Sequence, residues 1–230
     1  GADLSNTSFL LANLSGVNLT DVILDGTNFW KTDLSGVDFT VTSKKSYHGT
    51  IFKEANLSNS NFEDVIMSPV QIFTSEFKNE ANLKQKFDNG DLNRMELMSY
   101  LFGGGYVEDV GYIGLDNIHI ISTEVHGNDL VVKFTFFNNF ALANLENANF
   151  KNAGLWFADF YSANLTNANL SGADLRKSLL VNADLSNANL QGANISGVDL
   201  SGADLSGANL SDVIYDQNTI LKCVNHDICV

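Results

Sequence analysis

From Ala143 to Tyr215 the chain reads ANLEN-ANFKN-AGLWF-ADFYS-ANLTN-ANLSG-ADLRK-SLLVN-ADLSN-ANLQG-ANISG-VDLSG-ADLSG-ANLSD-VIY. A large apolar residue recurs at every fifth position, from Leu145, Phe150 and Leu155 to Leu210 and Tyr215. Two places before each stands a small or β-branched residue, and the run holds 15 repeats without a slip. A period of five matches neither the 3.6 of an α-helix nor the 2.0 of a flat strand, so the chain must turn a corner every five residues. The large residue and the small one before it point inward. Small residues suit the places where opposing walls approach closely, because a large side chain would overpack them. Asn, Asp, Ser and Gly dominate the remaining positions, and all of them suit turns.

Two further blocks share this form. Leu4, Phe9, Leu14, Leu19, Leu24, Phe29, Leu34 and Phe39 make the first, and Phe52, Leu57, Phe62 and Met67 the second. Segments such as Ala173-Asp174-Leu175-Arg176-Lys177 and Ala203-Asp204-Leu205-Ser206-Gly207 carry the pattern A(D/N)LXX. The chain thereby resembles the pentapeptide-repeat family over about 27 repeats. The resemblance implies a mainly β fold, a right-handed quadrilateral β-helix with four repeats per coil. Nearly seven coils at a strand spacing of about 4.8 Å would stand roughly 32 Å tall. Stability would be a sum of neighbour contacts, with the open ends capped.

The pattern breaks twice. Phe39 and Phe52 are 13 residues apart, a slip of three, which places a loop at 40–49. The larger break spans 68–140. Ile72, Phe73, Phe77, Leu83 and Phe87 read as a helix after Pro69, and Leu92, Met95, Met98, Leu101 and Phe102 as a second, ended by Gly103-Gly104-Gly105. Ile118–Val125 and Leu130–Phe137 read as a hairpin about His126-Gly127-Asn128-Asp129. The expected organisation is coils at 1–67, a small α+β insertion at 68–140, coils at 141–217 and a capping tail at 218–230.

The 230 residues carry a formal net charge of −14. Residues 1–70, 71–137, 138–215 and 216–230 contribute −4, −5, −4 and −1, so the acidity is spread along the chain. Direct binding of a phosphate backbone is therefore not expected, whereas a basic partner is compatible. No stretch approaches 18 consecutive apolar residues, and no membrane span is expected.

Cys223 and Cys229 are the only cysteines. A disulfide between them would close a seven-residue loop, worth roughly 2.4 kcal/mol on the chain-entropy model, and pin the tail over the last coil. The other readings are a reduced buried pair and a metal site with His226 and Asp227. Some pentapeptide-repeat proteins of oxidising compartments resemble this chain in having a Cys pair just past the last coil. Asn89-Gly90-Asp91-Leu92 with Glu96 partly fits a calcium loop, but Phe87 would fall on a ligand position and cannot ligate. His48, His119, His126 and His226 are scattered, and neither a nucleophile elbow, a zinc-protease helix nor a phosphate loop is present. The sequence therefore assigns no catalytic residue, no metal and no cofactor.

Trp156, Phe157 and Tyr161 fall on outward positions, with Arg176, Lys177 and Val181 stacked over them one coil later. Such a cluster is either covered by the inserted module or is a partner-binding patch with aromatic anchors. The expected role is a non-enzymatic scaffold presenting a rigid acidic β-helix and its inserted module to a protein partner. The cysteine pair favours a secreted or cell-envelope setting, with the cytoplasm as the alternative. Family resemblance also implies a DNA-mimicking protein that binds a type II topoisomerase. From that pattern the chain departs in its bulky insertion, in acidity highest within the insertion, and in its cysteine tail. A ligand-binding module using the insertion is a third reading.

Overall fold

The computed structural model describes residues 1–42, 47, 49–67, 73–77, 118–126, 129–136 and 138–229. The chain divides into two compact units, one of Gly1–Ser68 with Phe137–Val230 and one of Pro69–Phe136.

The first unit is a β-helix. After the large residue the chain turns, and in nearly every repeat an N–H three positions on donates back to that residue's carbonyl, as from Ala148 to Leu145 at 3.0 Å. The residue two beyond the large one has a positive φ, 57° at Asn147 and 66° at Gly172. This bond and this φ define a type II turn, which explains the Gly and Asn of the pattern. The residue before each large one pairs in parallel with its counterpart a coil away, as in Asn144↔Asn164↔Asp184↔Asp204. Partners lie 20 residues apart, so a coil is four pentapeptides with four corners. In chain order the corners follow Leu4, Phe9, Leu14 and Leu19, and every later repeat falls into one of these columns.

The columns build the core. Phe29, Phe52, Phe140 and Phe160 stack at centroid spacings of 5.4, 4.9 and 4.9 Å. Phe39, Phe62 and Phe150 stack at 4.3 and 4.8 Å. The two stacks meet edge to face, as at Phe62–Phe140 with planes 89° apart. Each such pair adds about 0.5–1.5 kcal/mol beyond burial. Threonine at the small position is satisfied by a carbonyl in the coil below. Thr27 Oγ1 donates to Leu4 O at 2.9 Å and Thr32 Oγ1 to Phe9 O at 2.7 Å. Outside, Asn side chains form ladders, Asn209 to Asn189 at 3.1 Å and Asn189 to Asn169 at 3.4 Å.

Neither interruption disturbs the register. Asp33↔Asn56 spans 23 residues, the coil plus the three-residue slip. Asn56↔Asn144 spans 88, which exceeds the 20-residue coil by 68, the length of Pro69–Phe136. The coil therefore continues as though that unit were absent. Asn138 fastens the seam: its Nδ2 donates to Met67 O, and its Oδ1 accepts from Thr50 N at 3.0 Å. Asn138, Asn139 and Phe140, left with the insertion by the sequence count, are coil residues that are fully buried.

The expected loop at 40–49 requires a correction. Tyr47 is 0% exposed and lies edge-on to Phe39 at 5.8 Å. Its hydroxyl bonds the Thr42 hydroxyl at 2.6 Å and Phe39 O. Gly49, two residues later, has the corner φ of 65°. Tyr47 thus fills the large position between Leu24 and Met67, and its polar tip finds partners inside the turn. Burial pushes its phenol above the ordinary tyrosine range.

At the other end the tail extends the coil before capping it. Ile220 pairs with Asp199 and Val224 with Asp204. Cys223 and Cys229 form a disulfide with Cα atoms 5.0 Å apart. The bond displaces both the reduced-pair and the metal readings, and His226 Nδ1 instead accepts from Ile228 N at 3.2 Å. Ile228 and Cys229 pack against the core.

The second unit holds a three-stranded antiparallel sheet. Strands β1 (Phe73–Phe77), β2 (Ile118–His126) and β3 (Asp129–Phe136) lie in the order β1-β3-β2. The hairpin falls where its alternation places it, with His126 opposite Asp129 and a register shift between Ile120 and Ser122. The helix expected from Ile72 is not formed at Phe73–Phe77, which pairs with β3. Phe73 and Phe77 are four apart, a spacing common to one face of a helix and of a strand, and Phe-Thr-Ser-Glu-Phe is rich in strand formers. The remaining helical expectations, with the triple glycine and the calcium reading at 85–96, lie outside the described residues. No helix among the described residues is long and apolar enough to cross a membrane.

Candidate functional site

The four corners differ in what they show to solvent. On the third, the residue at the positive φ is Gly16, Gly36, Asn59, Asn147, Asn167, Asn187 or Gly207, and its predecessor is usually serine. The fourth holds Asp21, Asp64, Asn152, Gly172, Gly192 and Asp212 there. These are the residues that left-handed backbone tolerates best. The first and second corners depart from this chemistry. Beside Asn6, Gly26, Gly49 and Gly197 the first holds Phe157 at 61° and Lys177 at 59°, and beside Ser162, Asn182 and Gly202 the second holds Leu11 at 61°, Lys31 at 56°, Glu54 at 55° and Leu142 at 59°.

Trp156 and Phe157 form the first-corner cluster. Their rings stack at 5.1 Å and 27°. One coil on, the Arg176 guanidinium lies 5.4 Å from the Trp156 centroid and Lys177 Nζ 5.2 Å from that of Phe157. Both are cation–π contacts, each worth about 0.5–1 kcal/mol at an exposed place. Asp174 holds Arg176 in a two-point bond, Nε at 2.8 Å and Nη2 at 2.6 Å, which raises the guanidinium pKa further. Trp156 Nε1 is buried and has no hydrogen-bond partner among the described residues. This corner sits one coil from the Met67 seam, since Met67 N donates to Gly154 O at 2.6 Å.

Tyr161 and Val181 belong to the neighbouring second corner. They stand over one another in successive coils, with Leu142 N bonding Tyr161 O at 2.8 Å and Ser162 N bonding Val181 O at 2.9 Å. The four residues grouped by sequence therefore divide between two adjacent corners. Sequence reading missed their companions on the second corner, Leu10, Leu11, Trp30 and Leu142, and Leu179 beside it, all exposed. Trp30 Nε1 donates to Glu54 at 3.3 Å, and Lys31 Nζ lies 5.2 Å from the Trp30 centroid and 3.4 Å from Glu54. The signal that would find them is a 20-residue count, but the slip of three and the 68-residue insertion shift it out of phase. Among the described residues no group of three or more His, Cys, Asp or Glu is arranged to hold a metal.

A family model described as pentapeptide repeats matches residues 1–40, 139–176 and 178–214 in 8 copies. No curated protein matches the chain. Among solved structures, a pentapeptide repeat protein of the Arabidopsis thaliana thylakoid lumen is 36% identical over 35% of this chain and 59% of its own, with a TM-score of 0.28. A pentapeptide repeat protein from Nostoc PCC 7120 is 39% identical over 39% of this chain and 78% of its own, with a TM-score of 0.34. QnrB1, a plasmid-mediated fluoroquinolone resistance protein, is 16% identical over 94% and 93%, with a TM-score of 0.32. The match to the thylakoid protein thus spans less than two thirds of that protein's length. At these TM-scores the three likenesses say nothing further about this chain.

Proposed function

We propose that this chain, which belongs to the pentapeptide-repeat family, is a non-enzymatic scaffold that presents a rigid acidic β-helix and its inserted unit to a protein partner. The observation that carries the reading is the first-corner cluster of Trp156 and Phe157 clamped under Arg176 and Lys177. Aromatic and arginine side chains fixed on a rigid wall are the anchors protein interfaces use. The ladders behind them supply the rigidity that keeps the entropy cost of binding low. This reading includes a right-handed, quadrilateral coil and an α+β character for the insertion. The Cys223–Cys229 disulfide favours an oxidising setting, secreted or in the cell envelope, over the cytoplasm.

The test is capture from an extract of the native host under non-reducing conditions, with the intact chain and with Trp156→Ala. A partner retained by the intact chain and lost by the variant, at unchanged melting temperature, is the expected result. Retention of the same proteins by both would remove Trp156 as an anchor. A second reading, a DNA mimic that binds a type II topoisomerase, draws on the net charge of −14 carried by a family β-helix. It requires inhibition or protection of gyrase in a supercoiling assay, and no effect at micromolar protein would end it. A small-ligand site on the insertion has no supporting observation among the described residues.

A further inference from the structure

We propose that the second corner of the coil is a docking ridge for an amphipathic helix with basic flanks, carried by a protein partner. The proposal rests on the scaffold reading and adds a surface and a class of partner to it. Two features coincide on this corner. The first is exposure. Leu10, Leu11, Trp30, Leu142 and Tyr161 are exposed and lie on this one corner, and the exposed Leu179 borders it on the side of the first. The equivalent places on the third corner hold Ser15, Gly16, Ser35, Asn147 and Thr166.

The second feature is the backbone. Leu11 and Leu142 hold φ near +60° while 70% and 49% exposed. A leucine there serves neither the turn, which prefers Gly or Asn, nor the core, which it does not enter. Local rules broken without gain inside the chain mark surfaces kept for function. The strain and the exposed apolar groups coincide on this corner; the first corner shares the strain, at Phe157 and Lys177, and the third holds only Gly or Asn at its positive φ.

The spacing fits a helix lying along the ridge. Successive coils stand about 4.8 Å apart, and an α-helix turns every 5.4 Å or so. One apolar side chain per helical turn therefore meets one coil, in the i, i+3/i+4, i+7 manner of helix recognition, except at the third coil, where Lys53 and Glu54 stand on the corner. From Leu10 to Val181 the ridge runs six coils, about 24 Å, which takes about 16 helical residues. Carboxylates border it, with Asp33 and Asp184 on the column toward the third corner and Asp159 on the column toward the first. Of the cations on the ridge itself, Lys31 is paired with Glu54, and Lys53 follows it one coil on. Lysine or arginine beside the apolar stripe of the partner helix complements this border. A second copy of the chain would bring the same carboxylates against themselves, which argues against self-pairing.

The test uses the full chain with its disulfide intact. The probe is a fluorescently labelled synthetic peptide of about 16 residues with leucines along one helical face and lysines on the other. Binding is read by anisotropy at about 0.15 M salt, where exposed charges are screened beyond about 8 Å. We expect saturable one-site binding. Trp30→Ser with Tyr161→Ser should weaken it about tenfold or more without lowering the melting temperature, because serine is the residue the third corner uses. Leu11→Asn with Leu142→Asn should weaken binding similarly while preserving or raising the melting temperature. A scrambled peptide of the same composition should bind about tenfold more weakly. Equal binding of the scrambled peptide, or of the chain lacking Trp30 and Tyr161, would mean charge attraction alone and overturn the proposal. Sedimentation showing a dimer that Tyr161→Ser dissolves would also overturn it, in favour of a second copy. Failure here together with Trp156-dependent capture from the host would sink the ridge and leave the scaffold reading standing.

Discussion

Replacing Leu11 by Asn removes an apolar side chain, yet it should stabilise the coil it sits in. Leu11 holds φ at 61°. A left-handed conformation costs an ordinary L-residue roughly 1–2 kcal/mol, much of which Asn avoids. The opposing loss is burial. Leu11 is 70% exposed, so less than a third of the roughly 2 kcal/mol available to a fully buried leucine is at stake, about 0.6 kcal/mol. The balance favours Asn by about 0.5–1 kcal/mol. A stack of coils opens locally, so the readout must be local. Leu11 N bonds Trp30 O at 3.2 Å and Ala12 N closes the turn on Phe9 O at 2.9 Å. Hydrogen exchange of these two amides should slow by about twofold to fivefold. Leu11→Ala is the control, since alanine loses the same packing and suffers the same backbone cost, and its amides should exchange faster. Faster exchange in the Asn variant, or slowing in both variants, would show that the second corner stores no backbone strain.

Asn138→Ala strands the Thr50 N–H and the Met67 carbonyl in a buried seam, and should lower stability by about 2–3 kcal/mol, measured by urea unfolding. Reducing the Cys223–Cys229 bond should cost roughly 2.4 kcal/mol on the chain-entropy model. That loss should appear as faster exchange of Leu205 N, which bonds Val224 O at 3.1 Å, while Leu145 N is unaffected. Acid should destabilise the coil through its carboxylates. The Ser35 N–H holds Asp33, and the Ser206 hydroxyl holds Asp204, below the ordinary value of 3.8. Their folded pKa is depressed, so the stability they add is complete above about pH 4 and is lost as pH falls through the lower folded value. Asp33→Asn with Asp204→Asn should flatten melting temperature against pH below that point. An unchanged acid limb would locate acid sensitivity elsewhere.

The residues themselves carry much of this structure, for local reasons. The five-residue period needs only near neighbours to be read. Ala143, Leu145 and the Asn or Gly at the corner each follow from one turn's requirements, and the buried columns are the ones the count marks. The hairpin of β2 and β3 was legible for the same reason, because alternation across a short connection is local. Helix and strand could not be told apart at Phe73–Phe77, where a spacing of four satisfies both and the pairing with β3 decides. The cysteine pair was legible as a pair, while its oxidation was decided by the tail fold that places the two Cα atoms 5.0 Å apart.

What the sequence determined by itself is the wall: the repeat, the corners and the inward side chains, each fixed by contacts within five residues. Only the tertiary structure decided what meets across coils. Asn138 joins Thr50 over 88 residues, Tyr47 enters the core after a slip of three, and Leu10, Trp30, Leu142 and Tyr161 line one corner. The reason is geometric. Register between coils is set by pairings 20, 21, 23 or 88 residues apart, and a loop or an inserted unit changes that separation without leaving any mark on the five-residue pattern on either side.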